Sequence, residues 1–168
     1  MEKEQLLDKA LDIATNKGYV DVVKIANEAG IGVFAVQENE DFNAKITYDK
    51  ASEKYKLYVN ESHTIERQRF SVAHELAHRV LHNAELVTLG KLDRDGDSLM
   101  EEAADNLAAE ILMPQTLVDR YVASQKFNTE AMSKEDILNI SKKFRVSKSV
   151  AILRLRDLDY YVPFIQFS

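Results

Sequence analysis

Residues 70–83 read FSVAHELAHRVLHN, and both the fold and the chemistry of the chain turn on how this stretch is arranged. Its apolar residues, Phe70, Ala73, Leu76, Ala77, Val80 and Leu81, recur at the spacing of an amphipathic helix, with no Gly or Pro among them. On a helix, His74 and His78 stand one turn apart on one face. Two imidazoles so placed can grip one metal ion, and Glu75 can then reach a water on that ion, the arrangement of a zinc hydrolase. The plainer reading makes the two His surface residues of an ordinary helix and leaves Glu75 solvated.

Composition narrows what surrounds this helix. The 168 residues suit one domain that buries a core without covalent staples. There is no cysteine, which excludes disulfides, thiolate ligands and a cysteine nucleophile, so a metal would be held by His and carboxylates. The N-terminal MEKEQLLDKALDIA is charged and amphipathic, and no later segment is apolar enough to span a bilayer, so a cytoplasmic protein without a membrane partner is expected. A net charge of −6 argues against whole-molecule attraction to nucleic acid.

Upstream of the helix, Leu6, Leu7, Ala10, Leu11, Ile13 and Ala14 predict a first helix over 3–17, stopped near Gly18. Asp21 is placed to cap a second helix, 22–29, which Gly30 would end. Ile31 to Gln37 reads as a strand, and Lys45 to Asp49 with Lys54 to Asn60 as a hairpin about the polar turn 50–53. In its second strand Tyr55, Leu57 and Val59 alternate with Lys56, Tyr58 and Asn60, giving one buried and one open face. Tyr55, Leu57, Tyr58 and Val59 are therefore candidates for a strand that pairs with a substrate peptide, with a purely structural hairpin as the alternative. Asn83 to Ser98 reads as a polar connection; its Asp93, Asp95 and Asp97 do not complete a calcium loop, because Gly96 is misplaced and Ala104 stands where an acidic residue belongs.

A catalytic zinc site takes three protein ligands and leaves one position open. His63 lies in a loop and His82 too far along the helix to close a compact site with both His74 and His78. The segment SLMEEAADNLAAEILMP offers a better source. Glu101 and Asp105 fall four apart on one helical face, and Ala103, Ala104, Ala108 and Ala109 allow close packing on the first helix. Glu101 would be the ligand and Asp105 an acceptor for the outer ring nitrogen of a ligand His. Two alternatives stay open: Ser98 to Glu101 is also a capping box, and Glu102 competes from one position along.

Together, RQRFSVAHELAHRVLH at 67–82, EEAADNLAAEILMP at 101–114 and KKFRVSKSVAILRLRDL at 142–158 resemble, in order and spacing, the ImmA/IrrE family of metallo-endopeptidases. The resemblance covers about residues 22–158. It implies that His74, His78 and Glu101 bind zinc, that Glu75 is the general base, and that Asp105 stands where the family has Asn or Asp, which favours Glu101 over Glu102. It further implies a zinc endopeptidase that cleaves a helix-turn-helix repressor of a phage or mobile element. Ala77 replaces a common Gly and Leu107 a common Phe, and neither is a ligand. Many relatives carry a DNA-binding domain before this region, for which the first 20 residues have no room, so repressor recognition is expected elsewhere.

The expected fold is α+β, a small antiparallel sheet against zincin-type helices, with a metallopeptidase domain over 1–120 and a C-terminal helical segment over 121–168. In that segment Ile137 to Phe144 and Ser147 to Leu158, joined at Arg145 and Val146, have helix-turn-helix proportions. Lys134, Lys142, Lys143, Arg145, Lys148, Arg154 and Arg156 stand against four acidic residues, an excess of +3, so a DNA-binding regulator is the competing function class and a helical pair packed on the core the plainer one. A zinc-dependent protein that binds its repressor without cutting it is a third.

Overall fold

The computed structural model of the chain describes residues 1–92 and 98–163; Asp93, Asp95 and Asp97 lie outside the described residues. α1 (Lys3–Lys17) ends at Gly18, whose φ of 79° is the left-handed cap a glycine takes without strain, its N–H donating to Ala14 O at 2.7 Å. α2 (Val22–Glu28) begins where Asp21 Oδ1 accepts the Lys24 N–H at 3.0 Å. Three strands follow, β1 (Ile31–Val36), β2 (Ala44–Asp49) and β3 (Lys54–Asn60).

β2 and β3 form the expected antiparallel hairpin, with Ile46 opposite Leu57 and Tyr48 opposite Tyr55. Asp49 closes its turn, accepting from the Ala51 N–H at 3.0 Å and the Ser52 hydroxyl at 2.8 Å. β1 instead pairs parallel with β3, Val33 beside Leu57, so the sheet runs β1-β3-β2 and is mixed rather than wholly antiparallel. The other edge of β2 is engaged at Ile46 and Tyr48: the Ile46 N–H donates to Glu75 Oε2 at 2.8 Å and the Tyr48 N–H to Gly90 O at 2.9 Å.

This topology corrects the reading of β3 as a peptide-binding strand. β3 is central and paired along both edges, so the main-chain groups of Tyr55, Leu57, Tyr58 and Val59 are committed within the sheet. Their side chains have structural partners: Leu57 and Val59 are buried, the Tyr55 hydroxyl donates to Asn83 Oδ1 at 2.7 Å, and Tyr58 stacks on Phe34 with ring centroids 5.6 Å apart.

α3 (Ile65–Leu81) starts five residues before the predicted helix, at a turn capped by Thr64. Its middle is enclosed on nearly every side, with Val72, Ala73, Glu75, Leu76, Ala77 and His78 all buried, because the sheet covers one flank and α5 the other. α4 (Asn83–Leu89) replaces the first half of the predicted connection; Leu86 anchors it in the core and Gly90 ends it at a φ of 78°. α5 (Ser98–Leu112) lies along α3, and buried Ala73 and Ala77 on one helix with Ala104, Ala108 and Ala109 on the other keep bulky side chains out of the contact.

α6 (Gln115–Gln125), α7 (Lys134–Phe144) and α8 (Lys148–Asp157) are the remaining helices among the described residues. α7 and α8 are the predicted pair, with Arg145 in the left-handed region at φ 55°. They are not set apart from the rest. Ile137, Ile140, Phe144, Ala151 and Leu155 share one buried cluster with Leu76 and Leu107, and the division expected after residue 120 falls inside α6. Among the described residues no helix is long and apolar enough to cross a membrane.

Candidate metal centre

α3 presents His74 and His78 one turn apart toward the first turn of α5. Their Nε2 atoms lie 2.9 Å from each other, and Glu101 reaches both: Oε2 is 3.1 Å from His74 Nε2 and Oε1 is 3.1 Å from His78 Nε2. These three side chains form a group able to hold a metal ion, the one such group among the described residues. His78 is fully buried and His74 nearly so, whereas Glu101 closes the group from the solvent side.

Asp105, one turn after Glu101, accepts from His74 Nδ1 at 2.8 Å. Burial opposes a positive charge on His74, but the hydrogen bond to Asp105 and the charges of Glu75, Asp105 and Glu101 outweigh it, so its pKa lies above the ordinary 6.5. Glu102 is exposed.

Glu75 is 1% exposed and turned to the sheet side of α3, where Ile46 N–H holds Oε2. It lines, with His74, Glu101 and Asp105, a cleft of about 470 Å³ whose other wall is Asp41, Phe42, Asn43 and Ala44 and whose floor includes Arg67, Phe70 and Ser71. Ala44 lies on the outer edge of β2, in phase with Ile46 and Tyr48, and so turns its main chain toward this cleft.

A family model, the IrrE N-terminal-like domain (Peptidase_M78), matches residues 26–156. The chain belongs to the Peptidase_M78 family. The family is, by its description, a peptidase family. No curated protein matches the Peptidase_M78 chain. A solved structure described as a Mycobacterium tuberculosis transcriptional regulator has the same fold, with a TM-score of 0.59 at 17% identity. The match covers 89% of this chain and 55% of the regulator, so this chain spans about half of that protein's length.

Three residues take part in the site's organisation in ways the sequence did not suggest. Asn60, fully buried at the end of β3, donates through Nδ2 to the carbonyls of Glu38 (3.2 Å), Asn39 (2.8 Å) and Phe42 (2.9 Å), and its Oδ1 accepts from Ser62 N–H at 3.1 Å. It thereby satisfies the backbone of the 37–43 connection, which crosses over the end of β3 to start β2 and forms one wall of the cleft. Arg67 ties the same wall to α3, donating from Nε to Asn43 Oδ1 at 2.9 Å and from Nη2 to Glu40 O at 3.3 Å. His82 sits with Nδ1 3.1 Å from His78 Nδ1. An Asn closing a strand was a signal for the first; nothing in the sequence pointed to the partners of Arg67, since they lie 24 and 27 residues away.

Proposed function

We propose that this Peptidase_M78 chain is a zinc-dependent endopeptidase in which His74, His78 and Glu101 bind the metal, Glu75 is the general base and Asp105 orients His74. The observation that carries this reading is the convergence of two Nε2 atoms and one carboxylate within 3.1 Å of one another across two helices. A tetrahedral zinc with bonds of about 2.0–2.1 Å sets its ligand atoms about 3.3 Å apart. The observed triangle is a few tenths of an ångström tighter, so a small side-chain shift accommodates the ion, and the donors are of the two-His, one-carboxylate type that zinc takes in hydrolases.

Bound there, zinc supplies a Lewis acid for the scissile carbonyl and brings the pKa of water from 15.7 down to about 7. The chain does the rest. Glu75 accepts the proton of the attacking water and delivers it to the departing amine, and Ile46 N–H holds its carboxylate in the orientation this transfer needs. Asp105 fixes the tautomer of His74 that leaves Nε2 for the metal. Phe42 and Phe70 bound the cleft with apolar surface, and the outer edge of β2 at Ala44 offers main-chain groups to an extended peptide.

The substrate we propose is a helix-turn-helix repressor of a phage or mobile element, cut at one site to release transcription in the cytoplasm. The test is incubation of the zinc-loaded protein with the repressor encoded beside it, with fragments identified by mass spectrometry and Glu75→Gln as control. No fragment from the native protein would sink this reading. A non-catalytic zinc-dependent regulator is the second reading, favoured by the description of the solved structure as a transcriptional regulator. Derepression by Glu75→Gln at one protein per repressor would establish it. Binding to DNA through α7 and α8 gains little support, because Arg154 is buried and Arg145 lies 3.9 Å over the ring of Tyr19.

A further inference from the structure

His82 was passed over as a ligand for lying too far along the helix, yet it touches the centre from the other side. Its Nδ1 is 3.1 Å from Nδ1 of His78, with the two rings 5.2 Å apart. Two ring nitrogens at that distance share one proton, so one donates and the other accepts. Which does which follows from the opposite side of the His78 ring. There Nε2 faces His74 Nε2 at 2.9 Å and Glu101 Oε1 at 3.1 Å, where a metal requires a lone pair. A neutral imidazole that gives up its Nε2 lone pair carries its hydrogen on Nδ1. His82 must then be the acceptor.

The position of His82 is fixed by the fold around it. It closes α3, its N–H donating to His78 O at 2.8 Å, and α4 starts at the next residue. That junction is pinned from the sheet: the Tyr55 hydroxyl donates to Asn83 Oδ1 at 2.7 Å, and the Arg79 guanidinium lies 4.2 Å over the Tyr55 ring. The two histidines are thus held through their outer nitrogens by different chemistry. His74 leans on a carboxylate from α5 at 2.8 Å, and His78 on an imidazole from its own helix.

We propose that His82 is the positioning residue of His78, accepting the Nδ1 hydrogen and so directing Nε2, unprotonated, at the metal. This rests on the metal-centre reading above. The test measures zinc affinity by competition with a chromogenic chelator in the native chain and in His82→Phe, His82→Ala and His82→Asn, with thermal unfolding of each metal-free protein alongside. Phe keeps the bulk without an acceptor, whereas the Oδ1 of Asn stands close to where Nδ1 was. The Phe and Ala variants should lose about 10–100-fold in zinc affinity and the Asn variant should recover to within about threefold of native. Native affinity in His82→Phe, or an equal loss in Phe and Asn, would overturn the role of His82 while leaving the metal centre standing. Absence of zinc binding by the native chain would remove the metal centre and this role together.

Discussion

At the scale of single residues the site divides into groups placed to face an ion and groups that hold them. Glu75→Gln keeps an oxygen for the Ile46 N–H, so the fold and the zinc content should survive while peptide cleavage drops by about 10²–10⁴-fold. Metal analysis and a cleavage assay on the same preparation check this, and retained cleavage would displace Glu75 as base. Glu101→Ala should lose zinc and Glu102→Ala keep it, since only Glu101 reaches the histidines. Equal zinc content in the two purified variants would count against Glu101. His74 gives a pH prediction of definite sign. Its pKa is raised in the metal-free chain, so the imidazolium stabilises the fold at low pH, and that contribution fades as pH rises past the raised value. Metal binding runs the other way, because the ion displaces the Nε2 proton; zinc affinity should fall as pH is lowered through and below the raised pKa. Chelator titrations from pH 8 to about pH 5.5 give the test, and a flat profile would contradict it.

At the scale of elements, the crossing of the 37–43 connection over β3 is what shapes the cleft. Asn60, itself fully buried, ties the carbonyls of Glu38, Asn39 and Phe42 to the end of β3. Asn60→Ala should cost about 1–3 kcal/mol in chemical denaturation, because it deletes several hydrogen bonds made by one buried side chain. Because Asp41, Phe42 and Asn43 belong to the displaced wall and no ligand does, the same variant should lose cleavage while binding zinc as before. Parallel loss of zinc would mean that the wall supports the histidines directly. β2 likewise serves two ends at once, one edge in the sheet and the other on Glu75, so any change of its register would move the carboxylate.

At the scale of the whole molecule, the C-terminal helices share one buried core with the helices that carry the candidate metal centre. Arg154 on α8 is 3% exposed; its Nε donates to Met113 O at 3.1 Å, just past the end of α5, the helix that carries Glu101, and its guanidinium pairs with Glu110 and Asp157. Arg154→Ala should lower stability by about 2–3 kcal/mol within a single cooperative transition. A separate early transition for the C-terminal helices would show that they fold apart. The DNA-binding reading loses its buried cation for the same reason. At low salt no salt-dependent DNA binding is expected from a chain of net charge −6, and a steep affinity loss between 50 and 200 mM salt, the range over which phosphate contacts are lost, would reverse that expectation.

What the sequence determined by itself was local and periodic. The helical setting of His74, Glu75 and His78 could be read from apolar spacing, the ends of α1 and α2 from Gly18 and Asp21, the hairpin from alternation and its turn, and the candidacy of Glu101 and Asp105 from their four-residue separation. Each depends on residues within a turn or a strand of one another. What only the tertiary structure decided was long-range: the parallel pairing of β1 with β3, the burial of β3 that removes it as a peptide-binding edge, and the grip of Asn60 and Arg67 on the cleft wall. So too with the placing of Glu101, rather than Glu102, beside the two histidines, and with the turning of Glu75 to a backbone group 29 residues away. A period of 3.6 or 2 says which face of an element is apolar, but not which other element comes to lie against it.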